Sequence, residues 1–144
     1  MAQLEKMRIE LVERLFKKLE LKFDKDEDGD LMARRFEYGG FAQVILAQVN
    51  EEFLKFSICA IDKDMPRANW GAALAACNDW NGRTLIGCGL VAAENYDTDP
   101  TAKVLFIGSL YATQITEEQL EDFFGATSHF SRRFFTHLSE LDLI

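Results

Sequence analysis

Asp24, Asp26, Asp28 and Gly29 stand at the spacing that opens a calcium-binding loop, with alternating carboxylates followed by the glycine of a sharp turn. Leu31 fits the apolar eighth position of such a loop. The twelfth position must supply a bidentate glutamate to complete the oxygen shell, and here it is Arg35, with Glu37 two residues too late. The residues that follow read as strand and not as an exiting helix. Asp28-Gly29 is moreover a preferred hairpin-turn dipeptide, so the segment is expected to be an acidic turn between two strands, with no metal.

Other reactive side chains are sparse. His129 and His137 lie eight positions apart, which on a helix separates them by two turns and about 80° of azimuth, so they cannot share a metal unaided and are expected to be solvated. Cys59, Cys77 and Cys88 are odd in number and form no Cys-x-x-Cys pair, and are expected to be reduced, mostly buried small apolar residues. No phosphate-cradling glycine loop occurs, and Gly87-Cys88-Gly89 falls inside a strand pattern. No catalytic residue and no cofactor are assigned. Trp70 and Trp80, with Asn78 and Asn81 nearby, are the remaining cluster. Large aromatics that stay partly exposed anchor partners, and asparagine can read a backbone or a small ligand, whereas a buried tryptophan is a core plug.

The elements that must position these residues follow from periodicity. Leu4, Met7, Leu11, Leu15 and Leu19 recur at helical spacing between Ala2 and Glu20. Ile9, Val12 and Phe16 widen that apolar arc beyond the roughly 100° stripe of a surface helix, so either two neighbours cover it or a partner does. A strand pair is expected around the Asp28-Gly29 turn, then a turn at Gly39-Gly40, a strand from Phe41 to Val49 that is apolar on both parities and so expected to be covered on both faces, and another carrying Leu54, Phe56, Ile58 and Ala60 on one face with Lys55 and Ser57 on a wetter one. Pro66 opens a helix from about Arg67 to Trp80, ended by Asn78, Asn81 and Gly82. Strands over Leu85–Ala93 and Lys103–Thr113 flank a loop of turn residues from Asn95 to Pro100. Gly87 and Gly89 are expected to let a helix or another backbone come close.

The last helix announces its start: Thr116 as cap, Gln119 completing a capping box, Ile115 and Leu120 as a hydrophobic staple. Leu120, Phe123, Phe124, Thr127, Ser131, Phe134, Phe135 and Leu138 then form one stripe, with Phe130 at its edge. The order αβββαββα predicts an α+β domain, an antiparallel sheet with helices packed mainly on one side.

The chain has 144 residues, 48% of them apolar, which suits one domain spanning residues 1–144. Sixteen basic against 24 acidic residues give a net charge of −8, which repels phosphate backbones and anionic membranes. Neither nucleic acid nor membrane is therefore an expected partner. With no apolar run of spanning length and no signal-peptide pattern, the expected location is the cytoplasm.

The Asn78-Asp79-Trp80-Asn81 tail of the second helix, the strand pair, and Ile115-Thr116-Glu117-Glu118-Gln119-Leu120 opening a Phe-rich helix together resemble the YbjN family of bacterial sensory transduction regulators. The Asp28-Gly29-Asp30-Leu31 turn also resembles that family's pattern, while the Asp-rich loop around Asp97 and Asp99 departs from it. The family is similar in fold to class I type III secretion chaperones. The resemblance implies a non-enzymatic module that binds a protein partner, as a regulator or chaperone-like adaptor, or as a dedicated secretion chaperone. A small-ligand sensor or enzyme with a pocket near Trp70 and Trp80 is the alternative. A homodimer is expected, and the candidate partner-binding residues are Ile9, Val12, Phe16, Trp70 and Trp80.

Overall fold

A computed structural model describes residues 3–84, 86–111 and 114–144. The expected helix start at Ala2, strand start at Leu85 and strand end at Thr113 lie outside the described residues. Helix α1 spans Gln3–Lys18. It stops where Glu20 takes a left-handed conformation (φ 56°), and the Leu21 amide donates back to the Phe16 carbonyl.

Strands β1 (Lys22–Lys25), β2 (Leu31–Tyr38), β3 (Phe41–Val49) and β4 (Phe53–Ala60) follow as an antiparallel meander. Gly29 supplies the positive φ (86°) of the β1–β2 turn. Asp26 holds that turn from within, its Oδ1 accepting the amides of Asp28 and Asp30, each at 2.9 Å. Arg35 points back over the sheet interior, its Nε donating to Gln43 Oε1 at 3.1 Å. The acidic segment is thus the expected hairpin turn.

A two-residue strand β5 (Met65–Pro66) and a single 3-10 turn lead into α2 (Trp70–Arg83). The helix runs a turn beyond the expected stop at Asn81. Asn81 acts as a clamp instead: its side chain accepts the Gly89 amide at 2.8 Å and donates to the Gly89 carbonyl at 3.0 Å, tying α2 to the next strand. Gly87 (φ 71°) delays β6 to Cys88–Ala92. Strand β7 (Thr101–Tyr111) pairs antiparallel with β4, with β6 and, at its start, with β5.

Helix α3 (Glu117–Glu140) starts with the full capping box, Thr116 and Gln119 exchanging bonds at 2.9 and 3.1 Å. Its predicted stripe is buried, with Phe123 and Phe130 at the margin. The order of elements agrees with the αβββαββα reading: three long strands, β2 to β4, are flanked by the short β1 and β5 ahead of α2.

All three helices serve one face of the sheet. Phe16 of α1, Phe56 of β4 and Phe124 of α3 meet with ring centroids 4.9–6.3 Å apart, and Phe134 stacks on Phe106 of β7 at 5.9 Å. Gly89 and Gly108 admit this layer: a Cβ at Gly89 would enter the Phe134 ring, and one at Gly108 would sit 2.5 Å from Thr127 Oγ1.

Candidate functional site

Among the described residues, no layer covers the strand parity that faces away from the helices, so the Phe41–Val49 strand expected to be covered on both faces is covered on one. The open rows run straight across the sheet by register. Met32, Leu46, Ser57, Ile107 and Cys88 form one row, and Arg34, Val44, Cys59, Leu105 and Leu90 the next. Strands lie about 4.8 Å apart, so each row spans roughly 20 Å. All these side chains are partly or well exposed, and Met32 and Phe36 on the same side are 42% and 78% exposed. Contiguous apolar surface of this kind marks an interaction face. The charged residues on this parity are Lys22, Arg34, Lys55 and Lys103 against Asp24 and Asp30, with Lys103 paired to Asp64 at 2.6 Å and Asp30 accepting from Gln48 at 3.3 Å. A chain of net charge −8 therefore shows a locally basic, apolar face.

On the covered side, Ile9, Val12 and Phe16 are 5%, 0% and 0% exposed. The α1 arc is wide because it meets two neighbours within the chain, the sheet through Phe23 and Phe56 and α3 through Phe124. These three residues, expected at or near a subunit surface, are core residues here. Arg8, which sequence reasoning missed, is also buried, its Nη1 donating to the Asn50 carbonyl at 2.9 Å and pinning α1 to the β3–β4 turn.

The two tryptophans do not share a pocket. Trp70 is a core residue whose Nε1 donates to the Met65 carbonyl at 3.0 Å, with Arg67 stacked 4.2 Å from its ring. Trp80, about 15 Å further along α2, is half-buried between α2 and α3, 5.7 Å from Phe134 and 5.5 Å from His137, the latter tilted by only 31°. His137 is thus packed against an indole and not solvated as expected, whereas His129 is exposed. Two adjoining hollows of about 520 and 590 Å³ share Trp80, Arg133 and His137. Asn78 is exposed and Asn81 is committed to Gly89, so the asparagines add nothing to this cleft.

The titratable groups show little that resembles tuned catalysis. Burial pushes the Cys77 thiol up to about 11 and raises Cys59, which keeps both as neutral thiols at neutral pH. Burial pulls Arg35 down to about 10, where it remains charged at neutral pH, stacked 3.7 Å from the Tyr38 ring centroid. Among the described residues, no cluster of His, Cys, Asp and Glu has metal-site geometry, and no helix is long and apolar enough to cross a membrane.

No curated protein matches the chain. Among solved structures, the crystal structure of YbjN, a putative transcription regulator from E. coli, is similar at a TM-score of 0.70 and 19% identity, over 94% of this chain and 93% of that one. That likeness establishes the fold. The family described as "Putative bacterial sensory transduction regulator" matches residues 8–140, and it is a regulator family by description and not an enzyme family. The chain therefore belongs to the YbjN family.

Proposed function

We propose that this chain is a non-enzymatic, cytoplasmic regulator that works by binding a protein segment on the open face of its sheet. One observation carries the reading: two rows of largely apolar side chains cross five strands with no covering layer among the described residues. The basic rim selects among occupants. Lys22, Arg34 and Lys55 around an apolar centre complement an amphipathic segment bearing acidic residues, whereas a second copy would bring the same cations face to face. The similar E. coli protein is described as a "putative transcription regulator". With a net charge of −8, regulation here is read as acting through a protein and not through direct contact with DNA phosphates.

A dedicated secretion chaperone is the narrow form of this reading, with a single protein as client. The homodimer is retained only as a proposal. Since the α1 arc is filled from within, the surface we assign to such a dimer is the open face. A photo-crosslinking residue placed at Leu105, and separately at Glu118 on the exposed side of α3, separates these outcomes in the native host. Adducts to another protein at Leu105 and not at Glu118 support the reading, with one client species marking a chaperone. Adducts only to a second copy would replace the regulator reading with a dimer. Equal capture at both positions would refute an open-face site.

A further inference from the structure

The cleft around Trp80 is independent of the open sheet face, lying on the helical side of the molecule between the C-terminal turn of α2 and the last third of α3. Its floor is aromatic: Trp80, Phe130 and His137 line it, with Ile86 at one side. Trp80 differs from Trp70 in a telling way. The Trp70 indole is fastened by its hydrogen bond to Met65, whereas the Trp80 Nε1–H is buried and has no acceptor among the described residues. Packing alone holds the Trp80 ring against the cleft, where it contributes a flat apolar wall.

The charges of the cleft are Arg83, Arg132 and Arg133 against Asp79 and Glu140. Asp79 is already neutralised by Arg83 at 3.0 Å. Arg132 and Arg133 make no ion pair among the described residues; Arg133 lines both hollows and sits 5.9 Å from the Phe130 ring centroid in the larger one. Arg35 and Arg67 also lie over aromatic rings, but they donate to Gln43 and to the Asp99 and Tyr96 carbonyls, whereas Arg132 and Arg133 make no side-chain hydrogen bond among the described residues. Guanidinium matches carboxylate and phosphate oxygens in plane and charge, and the ring walls favour a planar apolar body. A hollow of about 590 Å³ is of the size that small-molecule sites occupy.

From this we propose that the cleft binds a small ligand with a planar apolar body and one anionic group, the anion held by Arg133 with Arg132 and the body laid against Trp80 and Phe130. Carboxylate and phosphate share this chemistry. The site stands or falls separately from the open-face reading.

The chain has only two tryptophans, so the two indole N–H signals in a nitrogen–proton NMR spectrum can be assigned with Trp70→Phe. The full chain is titrated with 1-naphthoate, with 1-naphthyl phosphate and with uncharged 1-naphthalenemethanol. The expected result is a saturable shift of the Trp80 signal with one or both anions, the preferred anion naming the source of the ligand group. Binding should be weaker by about tenfold or more for the alcohol and for Arg133→Gln, the loss of one charge-assisted contact. Leu105→Glu, on the opposite face, should leave the titration unchanged. The proposal is overturned if no saturable shift occurs up to about 5 mM, a limit far weaker than specific ligand binding. It is equally overturned if the alcohol binds as well as the anions, if Arg133→Gln binds like the parent chain, or if Leu105→Glu abolishes the shift.

Discussion

Strands β4 and β7 present two different surfaces from the same backbone. One parity puts Leu54, Phe56, Ile58, Val104 and Phe106 under the helices, where all are fully or almost fully buried. The other puts Lys55, Ser57, Cys59, Leu105 and Ile107 towards solvent, partly covered only by one another. Burying an aliphatic or aromatic side chain is worth about 1.5–3 kcal/mol, and the first face has collected that stabilisation from Phe16, Phe124 and Phe134. The second has apolar side chains of similar size and has not. Stability resides on the covered face, and the unused burial on the open face is what a partner would collect.

The largest effect should come from forcing a charge into the covered face. Phe16→Glu would bury a carboxylate among Phe23, Phe56 and Phe124 with no cation to meet it, a change of more than about 4 kcal/mol. Circular dichroism should show loss of the fold. A variant that stays folded and differs only in its state of association would place Phe16 at a subunit surface and dissolve the contrast between the faces. Phe134→Ala comes next, at about 3–5 kcal/mol by chemical denaturation, because the ring fills the space between Phe106, Trp80 and Phe135 above Gly89. A cost below 1 kcal/mol, roughly that of a surface substitution, would mean α3 does not seal the sheet.

Much of the covered side was legible in the chain, because local chemistry and periodicity set it. The Thr116–Gln119 box, the α3 stripe and the Asp28-Gly29 turn depend on residues within a few positions of each other, and each formed as read. The reading faltered where the answer lay in a distant neighbour. The α1 arc around Ile9, Val12 and Phe16 looked too wide because periodicity reports how much of a helix is apolar, and not how many elements cover it. Asn81 looked like a helix stop, since its type favours termination, but its side chain is spent on the Gly89 backbone. His137 looked solvated because nothing local announces that Trp80, 57 positions earlier, would stack on it. The open face was legible only in part: alternation along β4 marked one wetter side, but β3 read as apolar on both parities, and only register across five strands joins Leu46 to Ile107 and Val44 to Leu105.

The α2–β6 clamp offers an intermediate test. Asn81→Ala removes both bonds to Gly89 and leaves the Gly89 amide and carbonyl in β6 without those partners. A loss of about 1–3 kcal/mol is expected in chemical denaturation, together with faster amide exchange at Gly89. Unchanged exchange at that amide would show that β6 is held by β7 alone.

The smallest stability effect and the sharpest test of the comparison belong to the open face. Leu46→Glu and Leu105→Glu place carboxylates on neighbouring rows where their apolar counterparts are partly exposed, so water can hydrate the new charges without any cavity or buried ion being created. Each should change the unfolding free energy by no more than about 1 kcal/mol, the span of strand-propensity effects on a solvated sheet surface. Binding should respond in the opposite proportion. Two carboxylates reverse the basic, apolar character that would receive an acidic amphipathic segment, so crosslinking to a partner through the open face should fall sharply while the fold persists. Light scattering on the same variants reads the alternative occupant. If the parent chain has twice the 16.4 kDa mass of one copy and either variant restores the single mass, the face belongs to a second copy. A destabilisation as large as that of Phe134→Ala would instead show that the two faces are equally internal, and the division between a stabilising face and a binding face would fail.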